Sequence, residues 1–311
     1  MKLKRGLLFL TLLAALLLVG CGKKEEKKIT FSDTDIKSDV IGVAIEGTTL
    51  TIRAAGTYVL TGSCKEGNII VDAPAGKSVT LVLDNLELTS TKTSPIYVKD
   101  CPLLAITIAE RSQNILTDRH TYTEMLSQDG QQTDASDFEE VPSAAIYSKS
   151  PLLIRGEGDG QLVINADCYN GITTNDTLTI DGGVINITAK NNALRGKDFV
   201  SIGGGVLTIK AGNDGIKSTN TENAGLGYIT IKGGVINIQA DDEGLYAPRS
   251  VNFDGGTVTI KSKNTGIKTE GTVNFDAGII TITSKKDAPI LANTQVHKDD
   301  ALVTANGKVL E

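Results

Sequence analysis

Short runs of alternating apolar and polar residues recur along the second half of the chain. They read VINITA (184–189), VLTIKA (206–211), VINIQA (235–240), TVTIKS (257–262) and IITITS (279–284). A period of two is that of a strand with one buried face. Each run follows a Gly-rich break, at Gly182-Gly183, Gly204-Gly205, Gly233-Gly234, Gly255-Gly256 and Ala277-Gly278. The breaks are spaced by 22, 29, 22 and 22 residues, the long interval carrying seven extra residues within TNTENAGLGY (219–228). The first half is less regular but similar. LTIRAAGTYVLTG (50–62), NIIVDAP (68–74) and VTLVLDNLELTS (79–90) alternate, and SPIYVKDCPLLAITI (94–108) matches the start of SAAIYSKSPLLIRGEGDGQLVINA (143–166). Beyond the first 28 residues, the only hint of helical periodicity is one turn near 122–126.

Units this short cannot bury a core alone, so they must stack on one another. The expected fold is all-β: a right-handed parallel β-helix, a solenoid of about 22 residues per coil. A β-propeller is the alternative, but each of its blades needs about 40 residues or more. One solenoid domain is expected over 29–311, with 296–311 capping its open end against strand-edge aggregation. An acidic loop, 118–142, with seven Asp or Glu, interrupts it.

The N-terminus changes the expected address. Lys2, Lys4 and Arg5 precede an apolar run, Leu7 to Val19, too short to span a membrane, which ends in LVGC (18–21). This resembles a bacterial lipoprotein signal peptide, 1–20, with Cys21 as the lipidated residue and 21–28 as a solvated tether. An exported lipoprotein of the cell envelope or outer surface is expected, membrane-bound only through that lipid and monomeric. Losing Lys2, Lys4 and Arg5 takes the formal charge from −6 to −9. So acidic a protein is a poor nucleic-acid binder. The remaining cysteines, Cys64, Cys101 and Cys168, have no zinc spacing. Cys64 and Cys101 are read either as one bridge or as small buried hydrophobes.

The turns between strands carry the candidate chemistry. GNDGIKS (212–218) has counterparts in KNNALRG (190–196), DDEGLYA (241–247) and KNTGIKT (263–269). In a solenoid, equivalent positions form columns. One column runs Asn170, Asn192, Asp214, Glu243, Thr265, Ala288, flanked by Asp167, Asn191, Asn213, Asp241 and Asp242. The next runs Thr173, Arg195, Lys217, Tyr246, Lys268, Leu291.

SAAIYSKSPLLIRGEGDGQLVINA, NDGIKSTN and the GGVINI units together resemble the bacterial carbohydrate-binding β-helix family, over roughly 40–293. The resemblance implies a pectate-lyase-like fold, calcium ions at the turns, and binding of cellulose or acidic, pectin-like sugars. Asn191 and Asn192 stand where that family has paired acids, and Thr265 and Ala288 supply no ligand. The second departure argues against metal at those later coils.

Stacked carboxylates repel unless neutralised, and calcium accepts six to eight oxygens at irregular geometry. The first expected site therefore groups Asp214, Asp241, Asp242 and Glu243, with neutral oxygens from Asn192 and Asn213. A second would use Asp167, Asn170 and Asn191. Plain turn chemistry and Asn ladders explain the same residues without metal. Arg195, Lys217 and Lys268 either balance the neighbouring acids or face an anionic sugar, and Tyr246 either packs a pyranose or is surface. Tyr97 and Tyr147, in matching positions, could line another face.

Three functions fit. The first is a non-catalytic, calcium-assisted binder of acidic plant-type polysaccharide or cellulose. The second is a calcium-dependent polysaccharide lyase using Lys217 or Arg195 as base. The third is a rigid adhesive stalk. The absence of Trp disfavours crystalline cellulose relative to acidic glycans. The only histidines, His120 and His297, lie outside the columns, so a catalytic triad or His-ligated zinc has no support.

Overall fold

The computed structural model describes residues 27–121 and 142–311, apart from 75 and 77. The signal segment with Cys21, and 122–141 of the acidic loop, lie outside the described residues. The described chain is all-β, a parallel solenoid. One of its sheets has eleven strands; the first two are antiparallel, so ten parallel strands mark ten coils.

Each regular coil has three faces. Thr177–Ala189 shows how two of them arise from one strand. Its first part pairs with Leu152–Gly156 and its second with Gln161–Ala166. Between them the register shifts at Asp181–Val184, where Gly182 and Gly183 hold φ of 110° and 92°. L side chains rarely adopt that conformation, so the glycine pair turns the corner. The third face is short: Leu194–Gly196, Ile216–Ser218, Leu245–Ala247 and Ile267–Thr269 lie side by side.

The turn leading into this third face explains the NDG motif. A Cβ on Gly215 would fall 2.4 Å from Ile238 Cγ2 and 2.5 Å from the Gly244 carbonyl oxygen. The corner therefore closes onto the core without room for a side chain. Backbone bonds then stack one turn on the next: the Ala193 N–H donates to the Asp214 carbonyl at 3.1 Å, and the Gly215 N–H to Glu243 at 2.9 Å.

Alternation places every second residue inside, and the registers stack like on like. Ile187, Ile209, Ile238, Ile260 and Ile282 form one ladder, all buried. Each such side chain contributes about 1.5–3 kcal/mol by leaving water. Phe253 and Phe275 stack with centroids 5.0 Å apart and planes 13° from parallel.

The 29-residue interval is absorbed outside the ladder. After Ser218 the chain makes an excursion and resumes register at Tyr228, opposite Phe199. Asn220 Oδ1 accepts the N–H groups of Glu222 and Asn223, which fixes the turn.

Several boundaries differ from the sequence reading. The strand Lys27–Phe31 takes in Lys27 and Lys28, assigned above to the tether, because it pairs with Gly56–Cys64. Asp118 ends the strand Gln113–Asp118 and is fully buried, so it belongs to the solenoid and not to the acidic loop. Residues 295–305 continue the parallel stack, and only Lys308–Val309 folds back antiparallel to close it. Cys64 and Cys101 are buried free thiols, not a bridge. Tyr147 is buried beside Tyr97 and is not available as a sugar platform.

The aromatic pair is the largest unit of the late coils. Phe253→Ala should lower stability by about 3–5 kcal/mol, read as a fall in the urea midpoint of unfolding.

Candidate functional site

The strand register bears out the second turn column, and hydrogen bonds link the first as far as Glu243. Thr173, Arg195, Lys217, Tyr246, Lys268 and Leu291 are consecutive partners across the third face. The oxygen-bearing column runs along the adjoining corner, linked side chain to backbone. Asn170 Oδ1 accepts the Asn192 N–H at 3.1 Å, Asn192 Oδ1 the Asp214 N–H at 3.2 Å, and Asp214 Oδ1 the Glu243 N–H at 3.2 Å. Asn191 and Asn213 join this ladder, each donating its side-chain amide to the Asn one coil before, at 3.1 Å. Asn191, Asn192 and Asn213 thus take part in an amide ladder along the corner.

The acids divide. Asp214, Asp242 and Glu243 bring carboxylate oxygens within 4.8 Å of one another. Asp241 turns away, its carboxylate 2.6 Å from Lys263 Nζ. Asp167, placed in the second expected site, pairs with Arg119 at 3.2 Å. Of the four acids grouped from the sequence, three lie together.

The cluster sits in a groove of about 620 Å³, lined also by Arg195, Lys217, Tyr246 and Lys268. Lys217 Nζ lies 3.0 Å from Asp214 Oδ2, and Lys268 Nζ lies 2.8 Å from Glu243 Oε1. Tyr246 is sandwiched between the two lysines, with their ammonium groups 5.3 and 5.8 Å from its ring centre. Such contacts are cation–π in type. Arg195 is buried and reaches Thr219 Oγ1 at 3.5 Å. All four basic or aromatic residues picked out by the column therefore face one groove.

Charge in the groove is offset in part by its own side chains, four acids against three bases. Burial pushes the Asp242 carboxyl above the ordinary range, and a hydrogen bond shared with Glu243 pushes the same way. Asn264 opposes this by donating to Asp242 Oδ1. The hydrogen bond to Glu243 holds the Lys268 ammonium above its usual value. Burial raises the Tyr246 phenol. Asn264 and Lys263 were not singled out from sequence. Each follows an acid, Asp242 or Asp241, by one 22-residue coil, so extending the flanking columns by one step would have found both.

A model of carbohydrate-binding domain-containing proteins matches residues 46–306. The chain belongs to this family. A family relative from Acetivibrio thermocellus, also described as a carbohydrate-binding domain-containing protein, is 34% identical over 203 residues. That match takes in 61% of this chain and 66% of the relative, so it spans just under two thirds of the relative's length. A solved structure, a gadolinium derivative of a polysaccharide lyase-like protein from C. thermocellum, superposes with a TM-score of 0.72 at 34% identity. It covers 80% of this chain and 96% of its own. The family resemblance and the solenoid fold read from the sequence both hold.

A raised carboxyl has a defined effect on stability. Asp242 favours the fold fully below its unfolded value, near 3.8, and that contribution is lost as pH rises through the higher folded value. In chelator at pH 7, Asp242→Asn should therefore melt at a higher temperature than the parent chain. The advantage should shrink as pH is lowered toward about 4. Thermal denaturation across that range checks the sign.

Proposed function

We propose that the protein is a non-catalytic binder of acidic polysaccharide, assisted by calcium, and that the groove around Tyr246 is its binding site. The observation that carries this reading is the cluster of Asp214, Asp242 and Glu243 beside two lysines and an aromatic ring. The donor set suits a hard cation: oxygens each about 2.4 Å from one calcium ion lie no more than about 4.8 Å apart. Asp214, Asp242 and Glu243 would hold it, with turn carbonyls and water completing the shell. That the related polysaccharide lyase-like protein forms a gadolinium derivative accords with this, since gadolinium also prefers oxygen donors.

The ion pairs suggest how metal and sugar cooperate. Lys217 and Lys268 are each held by an acid of the cluster. A bound divalent cation would compete for those carboxylates and release both ammonium groups toward a uronate. Tyr246, fixed between them, would pack the sugar ring. When bound, the metal supplies positive charge; Lys217, Lys268 and Arg195 supply directed hydrogen bonds.

A lyase would need a base whose charged form is disfavoured. Lys268 is shifted the other way by Glu243, and Lys217 lies against Asp214. Both facts support binding over proton abstraction. With lipid on Cys21, the solenoid would be displayed at the envelope surface.

Retention on polygalacturonate should be measured with calcium and with chelator, while absorbance of unsaturated product is followed. Calcium should tighten binding about tenfold or more, worth roughly 1.4 kcal/mol, with no product. Asp214→Asn/Asp242→Asn should remove the calcium increment. Product formation would replace this reading with a lyase, and Lys217→Ala would then test the base. An affinity indifferent to calcium would remove the groove from the site.

A further inference from the structure

The face next to the groove, around the same corner, carries a different pattern. Its outward side chains form three columns. One is Val184, Val206, Val235, Thr257, Ile279 and Leu302; the next is Asn186, Thr208, Asn237, Thr259, Thr281 and Thr304. The third is Thr188, Lys210, Gln239, Lys261 and Thr283. These seventeen positions hold two lysines and no acid, in a chain with 37 Asp and Glu. The first column is apolar but for Thr257, and much of it is exposed, with Val206 at 43%, Val235 at 45%, Ile279 at 51% and Leu302 at 53%. Beside it runs a furrow of about 360 Å³, lined by Asn186, Thr208, Lys210, Asn237 and Lys261.

The polar groups of this furrow are not used by the fold. Elsewhere outward asparagines satisfy each other between coils: Asn274 donates to Asn252 at 2.7 Å, and Asn213 to Asn192 at 3.1 Å. Here Asn186 and Asn237 are kept two coils apart by Thr208, beyond reach of one another. Polar side chains set in a row without internal partners leave their donors and acceptors for something else.

We propose that this face is a second polysaccharide subsite, one that takes an extended acidic chain along the solenoid axis without a metal. Its ligand class rests on the carbohydrate reading above; its location rests on the face alone. Coils repeat every ~4.8 Å, close to the advance per ring of an extended pyranose chain, so each sugar meets an equivalent row. The Val and Ile column packs the C–H faces of the rings. Asn186, Asn237, Gln239 and the threonines meet the hydroxyl edge with both donors and acceptors. Lys210 and Lys261, two coils and so ~10 Å apart, pair with carboxylates of alternate sugars. No acid stands in the three columns to repel them, and Asp241 at their edge is held by Lys263.

The test is affinity electrophoresis of the full-length protein through gels containing polygalacturonate, in chelator. The parent chain should be retarded. Lys210→Ala/Lys261→Ala should weaken that retardation about fivefold or more, with an unchanged melting temperature. Asn237→Asp, nearly isosteric but anionic, should weaken it as well. Asp214→Asn/Asp242→Asn should leave it intact. If the lysine and Asn237 variants run like the parent, the proposal is wrong. It is also wrong if the parent is not retarded in chelator, or if a neutral cellulose-like glucan retards parent and lysine variant alike. Adding calcium separates the two sites: an increment that survives in the lysine variant belongs to the groove, whatever becomes of this face.

Discussion

Parallel backbone pairing between successive coils is the constraint from which the rest of the molecule follows. It obliges each residue to sit directly on its counterpart one coil earlier, about 4.8 Å away. Inside, this is harmless and even favourable, since isoleucine on isoleucine packs well. At the corners the same rule is demanding. Polar groups must stack on polar groups, and charges on charges. Asn170 and Asn192 meet it with amides that accept the next coil's N–H. Asp214 continues the pattern with a carboxylate, and from there acids accumulate.

The groove can be seen as the response to that accumulation. Lys217 and Lys268 neutralise acids from the neighbouring column, and the shared hydrogen bond between Asp242 and Glu243 relieves part of their repulsion. Such a network is self-consistent without any ligand. It also keeps its lysines provisional, held by carboxylates that a stronger cation would claim. The bland and the functional readings of those lysines are therefore two states of one arrangement.

Much of this was legible before any coordinates, because the repeat supplies an alignment of the chain with itself. Spacing alone placed Arg195, Lys217, Tyr246 and Lys268 in one column, and the observed register agrees residue for residue. Directions at corners were not legible. Asp241 and Asp242 are adjacent in sequence, yet one points to Lys263 outside and the other into the groove. A turn does not alternate as a strand does, so no period predicts the difference. Partners across the insertion were equally hidden: Arg119 reaches Asp167 on the adjoining coil, although 48 residues separate them in sequence. The burial of Tyr147 was missed because its outward position said nothing of what packs over it.

The excursion between Ser218 and Tyr228 shows what this architecture tolerates. Nine residues join the two strands, seven more than in the coil before, without disturbing the register on either side. Thr219, its first residue, already lines the groove. Length and composition can thus drift at the rim of the site while the ladders beneath stay in step. The solenoid thus separates the residues that folding fixes, one on another in the ladders, from a segment whose length the ladders do not constrain, and that segment begins at the edge of the groove.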